Sequence, residues 1–262
     1  MSLFYYTNTM KILIASVTLN ALNSLNSLTI IVEKLRNALP HNCVLCDNQT
    51  EHFRNHLCQI CRNDLPLPQY LCLGCAIPLV HQQPFCGQCQ KSPPRYKLIT
   101  CAGYVAPLKQ LISSLKYKEN QIIARELALH LAKRVKHLID NNQLATPQYL
   151  IPVPLHKKRL QQRGYNQAAL IADALASHLN IPVLDCTTRI LNTTTQTELN
   201  AAERRANLRD AFKLVDDISG NIVAIIDDVY TTGATMHELA KTLECKHQLQ
   251  IQCWSIVRTN IE

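Results

Sequence analysis

Glycine is scarce in this sequence, with 6 residues among 262, and neither common glycine-rich nucleotide motif is present. The segment G-x-x-x-x-G-K-[ST] occurs nowhere, which excludes a P-loop site, and no G-x-G-x-x-G follows an apolar run, which excludes the dinucleotide fingerprint. Charged residues make up 18% of the chain and hydrophobic residues 47%, a balance typical of globular proteins. The net charge of +8 is compatible with a phosphate ligand or with nucleic acid and identifies neither.

The N-terminal segment, 1–40, is an incomplete match to a signal peptide or a membrane helix, which stay the alternatives to a leader. Residues 12–32 carry no charge, as in a signal peptide or membrane helix, but three Asn, three Ser and two Thr interrupt them. There is no clear small-residue cleavage site either, so we expect no membrane insertion and a cytoplasmic location. We interpret 1–40 as a leader that is disordered or partly helical, and Met10 offers an alternative start.

Cysteine, by contrast, is abundant, with 12 residues, and eight of them form four C-x-x-C doublets within 41–95. The doublets are Cys43 and Cys46, Cys58 and Cys61, Cys72 and Cys75, and Cys86 and Cys89. A doublet can place two thiolates on one side of a metal, so eight thiolates fit two structural zinc ions. Disulfides and an iron–sulfur cluster are the alternatives. Pairing of the doublets in sequence order and interleaved pairing both satisfy tetrahedral coordination.

The rest of the chain, 96–262, has the pattern of an α/β domain. Strands are predicted at 98–105, 149–154, 181–184, 221–227 and 249–257, and helices at 107–117, 121–139, 166–179 and 234–244. Asn120 is expected to cap the second helix. Strands that alternate with helices predict a mostly parallel sheet with flanking helices on both faces. We therefore expect a small cysteine-rich module, 41–95, joined by the proline-containing stretch 92–96 to this domain.

The segment IIDDVYTTGAT, residues 225–235, places two adjacent acids before a turn of small and hydroxyl residues. Asp227 and Asp228 follow an apolar strand, at the carboxyl end where ligands bind in open α/β sheets. Unpaired buried carboxylates are costly, which favours a hydroxyl or cation partner. The following residues lead into a helix, whose N-terminal amides can bind a phosphate. The segment predicts a ribose 5-phosphate site, and a plain strand–turn–helix junction is the alternative.

Residues 223–235, VAIIDDVYTTGAT, resemble over thirteen consecutive positions the motif of type I phosphoribosyltransferases that binds 5-phosphoribosyl 1-diphosphate (PRPP). The chain from 41 to 260 further resembles the ComF/GntX family, competence-associated proteins with a zinc module before a phosphoribosyltransferase-like domain. The shared features include the C-x-x-C series and the segments LISSLKY, IPVPLHKKRLQQRGYNQA and QTELNAAERRANLRDAF. The resemblance implies a type I phosphoribosyltransferase-like fold and leaves out the leader.

The resemblance also implies roles for individual residues. Asp227 and Asp228 would hold the ribose 2- and 3-hydroxyls of PRPP, which binds together with Mg²⁺. The 5-phosphate would bind at Thr231, Thr232, Gly233, Ala234 and Thr235, and the diphosphate loop would include Val153, Pro154, Leu155, Lys157, Arg159 and Arg163. Lys158 adds a fourth cation to that run, which is otherwise typical of a solvated loop. The stretch 190–206 would close over PRPP, and Arg204 and Arg205 would either reach the anion or pair with Glu203.

Three functions are compatible with these features. The first is a role in DNA uptake during natural transformation. The PRPP site would then serve regulation or hold a phosphate group, and single-stranded DNA would bind along the basic run 157–163 and the zinc module. The second is an active phosphoribosyltransferase that transfers the ribose phosphate to an unknown acceptor. The third is a structural zinc-dependent adaptor. The family's competence association favours the first, with proteins of the DNA-uptake machinery as further partners, and no residue pattern identifies an acceptor.

Overall fold

The computed structural model describes residues 42–51, 56–115, 122–191, 208–245 and 248–259. The leader, Asn120, Arg204, Arg205 and nearly all of the stretch 190–206 lie outside these residues, so the expectations for them stay predictions. The chain divides into two compact units, 1–63 and 64–262. None of the described helices has both the length and the apolar character that a membrane-spanning helix needs.

The described part of the first unit is a cysteine turn followed by a short helix, α1 (Gln59–Asn63). An antiparallel bridge joins Asn42 to Gln49, and the Asp47 N–H donates to the Cys43 carbonyl at 2.8 Å. Asp47 adopts a left-handed backbone with φ 60°, a conformation that aspartate tolerates better than most residues because its short side chain can hydrogen-bond locally. The turn thereby reverses the chain tightly around the first doublet.

The second unit begins with the same arrangement. Leu71 bridges to Pro78, the Ala76 N–H donates to the Cys72 carbonyl at 2.8 Å, and a short helix, α2 (Gly87–Lys91), follows. Ala76 has φ 56° at the position that matches Asp47. The two cysteine turns are therefore repeats of one local structure.

The sheet of the second unit is parallel. Its strands are β1 (Lys97–Ile99), β2 (Ala102–Gly103), β3 (Tyr149–Pro152), β6 (Ile222–Tyr230) and β7 (Gln250–Arg258), in the order β1–β7–β6–β3 with β2 also on β7. Two shorter strands, β4 (Thr187–Arg189) and β5 (Phe212–Leu214), pair antiparallel. Every residue from Val223 to Ile226 is fully buried, so both faces of β6 are covered. A continuous apolar run is the usual sequence of such a strand.

Five helices accompany the sheet in the described residues: α3 (Leu108–Ser114), α4 (Ile123–Asp140), α5 (Lys157–Arg163), α6 (Gln167–Leu179) and α7 (Ala234–Glu244). The buried residues of α4 include Leu127, Leu131, Val135 and Leu138, whose spacing puts them on one face. The helices α4 and α6 pack together against the sheet, and α7 packs against β6. Asn166 caps α6 by accepting a hydrogen bond from the Ala168 N–H at 3.1 Å.

The parallel α/β architecture confirms the predicted fold class, but several local predictions were wrong. The basic run 157–163 is the helix α5, because His156 caps its first turn and Gly164 ends it with a left-handed φ of 80°. The predicted strand at 98–105 is divided into the two shorter strands β1 and β2. The predicted strand at 181–184 is instead a single β-bridge between Val183 and Leu150. Helix α4 begins at Ile123, two residues after the predicted start at 121.

The predicted boundary at 95/96 stays a prediction, and the unit 64–262 contains the second cysteine turn together with the α/β part of the chain. Ala76 lies in the same hydrophobic core as Tyr96 and Leu98, and the Leu98 N–H donates to the Gly74 carbonyl at 2.9 Å. The second cysteine turn is thus packed on the first strand of the sheet, a contact that sequence patterns do not reveal.

Candidate functional site

The eight paired cysteines form two clusters, each drawn from doublets that are consecutive in sequence. The first contains Cys43, Cys46, Cys58 and Cys61, and the second contains Cys72, Cys75, Cys86 and Cys89. In each cluster the four sulfur atoms lie within 4.8 Å of one another, and all eight thiols are free of disulfides. Of the two predicted pairings, the structure shows the one in sequence order.

The sulfur positions fit a tetrahedral metal site. A tetrahedron with Zn–S bonds of about 2.3 Å places its sulfurs roughly 3.8 Å apart. Cys46 Sγ and Cys58 Sγ are separated by 3.7 Å, as are Cys75 Sγ and Cys86 Sγ. Backbone N–H groups also donate to sulfur, for example from Cys86 to Cys72 Sγ at 3.3 Å. Each cluster therefore has the donors and the size of a structural zinc site, with all four coordination positions filled by protein.

One thiol in each cluster is already acidified by the fold. Burial raises the pKa of Cys43, but backbone N–H donors from Cys58, Leu45 and Cys46 outweigh it and lower that pKa to about 6. In the second cluster, N–H donors led by that of Cys75 likewise outweigh burial and lower the pKa of Cys72 to about 7. The neighbouring thiol of Cys46, however, raises the pKa of Cys61, and burial raises the pKa of Cys89, so a bound cation is needed to hold all four sulfurs of a cluster as thiolates.

The two adjacent acids lie at the carboxyl edge of the sheet, inside β6 rather than after it. Strand β3 stops pairing with β6 at Pro152 and Ile226, so Asp227 and Asp228 come just beyond that contact while β7 still pairs with β6. Both side chains are half-buried. Asp227 Oδ1 accepts from the Asp228 N–H at 2.9 Å, and Asp228 Oδ1 accepts from the Val229 N–H at 2.8 Å. Each carboxylate keeps further acceptor capacity for a ligand.

The environment of Asp227 disfavours its charged form. Burial, and then the neighbouring charge of Asp228, raise the pKa of Asp227 well above its ordinary value, although Arg189 opposes the shift. Perturbed carboxyl groups of this kind are common at functional sites, where a ligand supplies the missing partner. The acid pair is therefore suited to receive hydroxyl donors or a cation.

The turn after β6 brings small residues to the start of α7. Gly233 occupies the N-cap of this helix with φ 77°, and Thr231 and Thr232 are exposed beside it. The Ala234 N–H donates weakly to Thr232 Oγ1 at 3.4 Å. Amides at a helix N-terminus, together with the helix dipole, form a site that attracts anions. The turn thus places a candidate phosphate site directly after the acid pair.

The residues after β3 reach the same edge of the sheet. Val153 and Pro154 are buried, and the Val153 N–H donates to the Ile226 carbonyl at 2.9 Å, next to Asp227. Asn166 Nδ2 donates to the Val153 carbonyl at 2.9 Å, which ties the start of α6 to this turn. Leu155 then leads into α5, where Lys157 is exposed while Arg159 and Arg163 are half-buried. The start of the predicted diphosphate loop, at Val153 and Pro154, therefore lies beside the acid pair in the fold.

Arg189, at the end of β4, is a further basic residue of this site that the sequence did not single out. It is 9% exposed, and its Cζ atom lies 5.6 Å from the centre of the Phe212 ring. A parallel β-bridge joins Arg189 to His156 in the turn after β3. Burial lowers the pKa of Arg189, the charge of Arg159 lowers it further, and Asp227 opposes both. An anion between the two guanidinium groups would relieve their mutual repulsion. In the sequence, Arg189 is marked only by the two apolar residues that follow it, a pattern that is too common to interpret.

The comparisons with known proteins agree with the two-part architecture. Residues 35–90 match the double zinc ribbon domain family. The chain is 34% identical over 229 residues to competence protein F of Haemophilus influenzae, covering 86% of this chain and 100% of that protein. It is 35% identical over 223 residues to DNA utilization protein YhgH of Escherichia coli O157:H7, covering 84% and 98%. Competence protein ComFC of Bacillus subtilis is 26% identical over 221 residues, covering 77% and 88%.

Among solved structures, adenine phosphoribosyltransferase from Saccharomyces cerevisiae is similar with a TM-score of 0.31 and 17% identity, covering 51% of this chain and 68% of that one. A purine phosphoribosyltransferase from Pyrococcus horikoshii has a TM-score of 0.30 and 14% identity, covering 51% and 80%. Both likenesses are too distant to carry an argument.

Proposed function

Because this chain belongs to the competence protein F family, we propose that it acts in DNA uptake as a PRPP-binding protein of the cytoplasm that also handles single-stranded DNA. The relatives are named for competence and for DNA utilization, which supports the role in uptake. The observation that carries the PRPP assignment is the placement of Asp227 and Asp228 directly before the Gly233 turn at the carboxyl edge of the sheet.

The chemistry of PRPP matches this edge group by group. A ribose diol offers two hydroxyl donors, which suits two adjacent, half-buried carboxylates that each keep further acceptor capacity. The 5-phosphate suits the amides and hydroxyls of 231–235 at the start of α7. The diphosphate suits the cations Arg159, Arg163 and Arg189, since guanidinium groups bind phosphate oxygens in pairs. Mg²⁺ would neutralise the diphosphate when bound, and Asp227 and Asp228 are the acids available to it.

Titration calorimetry with Mg-PRPP tests the assignment directly. We expect the double substitution Asp227→Asn with Asp228→Asn to abolish measurable binding while the zinc content stays at two ions, because neither acid belongs to a cysteine cluster. Asp216 and Asp217 are a matched control: they are likewise adjacent but are exposed rather than half-buried, and the Asp217 N–H donates to Asp216 Oδ1 at 2.9 Å in the same way. Unchanged affinity in the Asp227 and Asp228 variant would refute the assignment.

An assay of pyrophosphate release from Mg-PRPP, run with candidate acceptors, distinguishes turnover from binding alone. A phosphoribosyltransferase would release pyrophosphate in the presence of its acceptor, whereas a PRPP-binding protein would not. We expect binding without turnover.

Single-stranded DNA is proposed to follow the exposed lysines of α5. Lys157 and Lys158 stand at the carboxyl edge of the sheet, whereas Lys133 and Lys136 lie in the C-terminal half of α4, which leads to the opposite edge. Substituting the first pair by Ala should lower the slope of log affinity against log salt by about 1.4, since each lost contact to a single strand contributes about 0.7. An equal decrease in this slope after substitution of Lys133 and Lys136 would refute the proposed path of DNA along α5.

A further inference from the structure

The two cysteine clusters are not equivalent, because the second lies in the same unit as the proposed ligand site. Its turn offers two carbonyl groups to the sheet: that of Gly74 accepts from the Leu98 N–H at 2.9 Å, and that of Cys75 accepts from Arg258 Nη1. Gly74 is required there, since a Cβ would come within 2.9 Å of Cys89 Sγ. The cluster is therefore held against the sheet through the turn between its own ligands.

Arg258 is the charged residue of this contact. It is 1% exposed, and it lies in β7 at the register position opposite Tyr230 of β6 and Gly103 of β2. Its Nε donates to the Thr259 carbonyl at 3.3 Å, whereas its Nη2 is buried without a hydrogen-bond partner among the described residues. A buried cation with an unpaired donor is costly unless a negative group lies close to it. Four thiolates around one divalent ion would carry net negative charge, and Cys75 would supply one of those thiolates.

Tyr230 connects Arg258 to the phosphate turn. Its carbonyl accepts from the Thr259 N–H at 2.9 Å, directly beside Arg258. Its ring lies against Gly233, where a Cβ would come within 2.5 Å of Tyr230 Cζ, and its hydroxyl is 3.4 Å from His237 Nε2 on α7. The ring thereby supports the turn and the first part of the helix from one side.

We propose that Arg258 and Tyr230 are positioning residues through which the second cysteine cluster orders the phosphate turn 231–235. Metal in that cluster fixes the Cys75 carbonyl, the carbonyl fixes Arg258, and Arg258 with Tyr230 fixes the turn. Metal in the first cluster has no part in this sequence of contacts. The inference rests on the proposed PRPP site for its effect on affinity, but its effect on the turn itself is independent of the ligand.

The test compares two full-length variants at matching positions of the repeat, Cys89→Ser in the second cluster and Cys61→Ser in the first. Each should lose one of two zinc ions, which metal analysis measures. In Cys89→Ser, amide hydrogen exchange of 229–235 should rise and Mg-PRPP should bind about tenfold to hundredfold more weakly, the effect of one lost charge-assisted hydrogen bond. In Cys61→Ser, neither should change.

A third variant, Arg258→Met, keeps both clusters and removes the guanidinium. It should retain two zinc ions, show the same rise in exchange at 229–235, and keep the interior of β6, 223–226, as protected as in the native protein. Increased exchange of 223–226, or native exchange of 229–235, would overturn the inference, as would equal effects of Cys89→Ser and Cys61→Ser. If the native protein does not bind Mg-PRPP, the proposed function fails, and the exchange measurements still decide the role of Arg258.

Discussion

Gly233→Ala is the substitution whose effect the structure specifies most fully. Gly233 has φ 77°, and a residue with a Cβ costs about 1–2 kcal/mol in left-handed conformation. The new Cβ would lie 2.5 Å from Tyr230 Cζ and 2.8 Å from Tyr230 Cε2, whereas carbon atoms pack at about 3.5–4.0 Å. The ring must therefore move, at the ~1–3 kcal/mol usual for overpacking. Together the two effects should cost about 2–5 kcal/mol.

Two measurements show whether this cost lowers the stability of the fold or the affinity for Mg-PRPP. If the turn keeps its shape, the penalty lowers the free energy of unfolding in urea. If the turn relaxes locally, stability is largely kept and Mg-PRPP binding weakens instead, by tenfold for each ~1.4 kcal/mol. The sum of the two changes should therefore fall near about 2–5 kcal/mol, whichever route the molecule takes.

Gly87→Ala is the matched control. Gly87 begins α2, and no atom lies within 4 Å of the Cβ that it would gain. Alanine there should be neutral or stabilise by about 0.4–1 kcal/mol through the unfolded chain. If Gly233→Ala matches the native protein in both measurements, the close contact with Tyr230 does not exist and the support for the phosphate turn must be sought elsewhere.

Two further predictions concern the charged groups of the site. Because burial and Asp228 raise the pKa of Asp227 in the folded chain, that chain binds the proton more tightly than the unfolded chain, and stability falls as pH rises from about 4. Asp227→Asn should therefore raise the melting temperature at pH 7, and an unchanged or lower value would contradict the shift. Arg189→Met should weaken Mg-PRPP binding about tenfold, as measured by calorimetry. A loss no greater than that of Arg209→Met, an exposed control, would exclude Arg189 from the diphosphate site.

Much of the candidate site could be predicted from the sequence because its parts are local. The apolar run Val223–Ile226 followed by two acids and a glycine turn predicted both β6 and the start of α7, and α7 runs over the predicted residues, Ala234–Glu244. The cysteine doublets likewise predicted their own clustering, since C-x-x-C spacing brings two sulfurs together regardless of the surrounding fold. The choice between the two pairings came only from the structure.

Arg189 and Arg258 could not be predicted, since nothing near either one in sequence indicates its partners. Arg189 reaches the acid pair because β4 ends beside the turn after β3, and Arg258 reaches Cys75 across 183 positions of chain. The basic run 157–163 was misread for a related reason: helix α5 depends on caps at His156 and Gly164, which a charge pattern does not show.

The sequence by itself determined what each local segment could hold: thiolates at metal spacing, a carboxylate pair at a strand end, and small residues before a helix. Those properties follow from residue type and short spacing, which survive in any fold. The tertiary structure decided which segments meet. Parallel strands bring the acid pair of β6 and the turn after β3 to one edge of the sheet, and the bridge between His156 and Arg189 adds the end of β4 to that edge. Packing on β1 and β7 likewise made the second cysteine cluster part of the unit that carries that site.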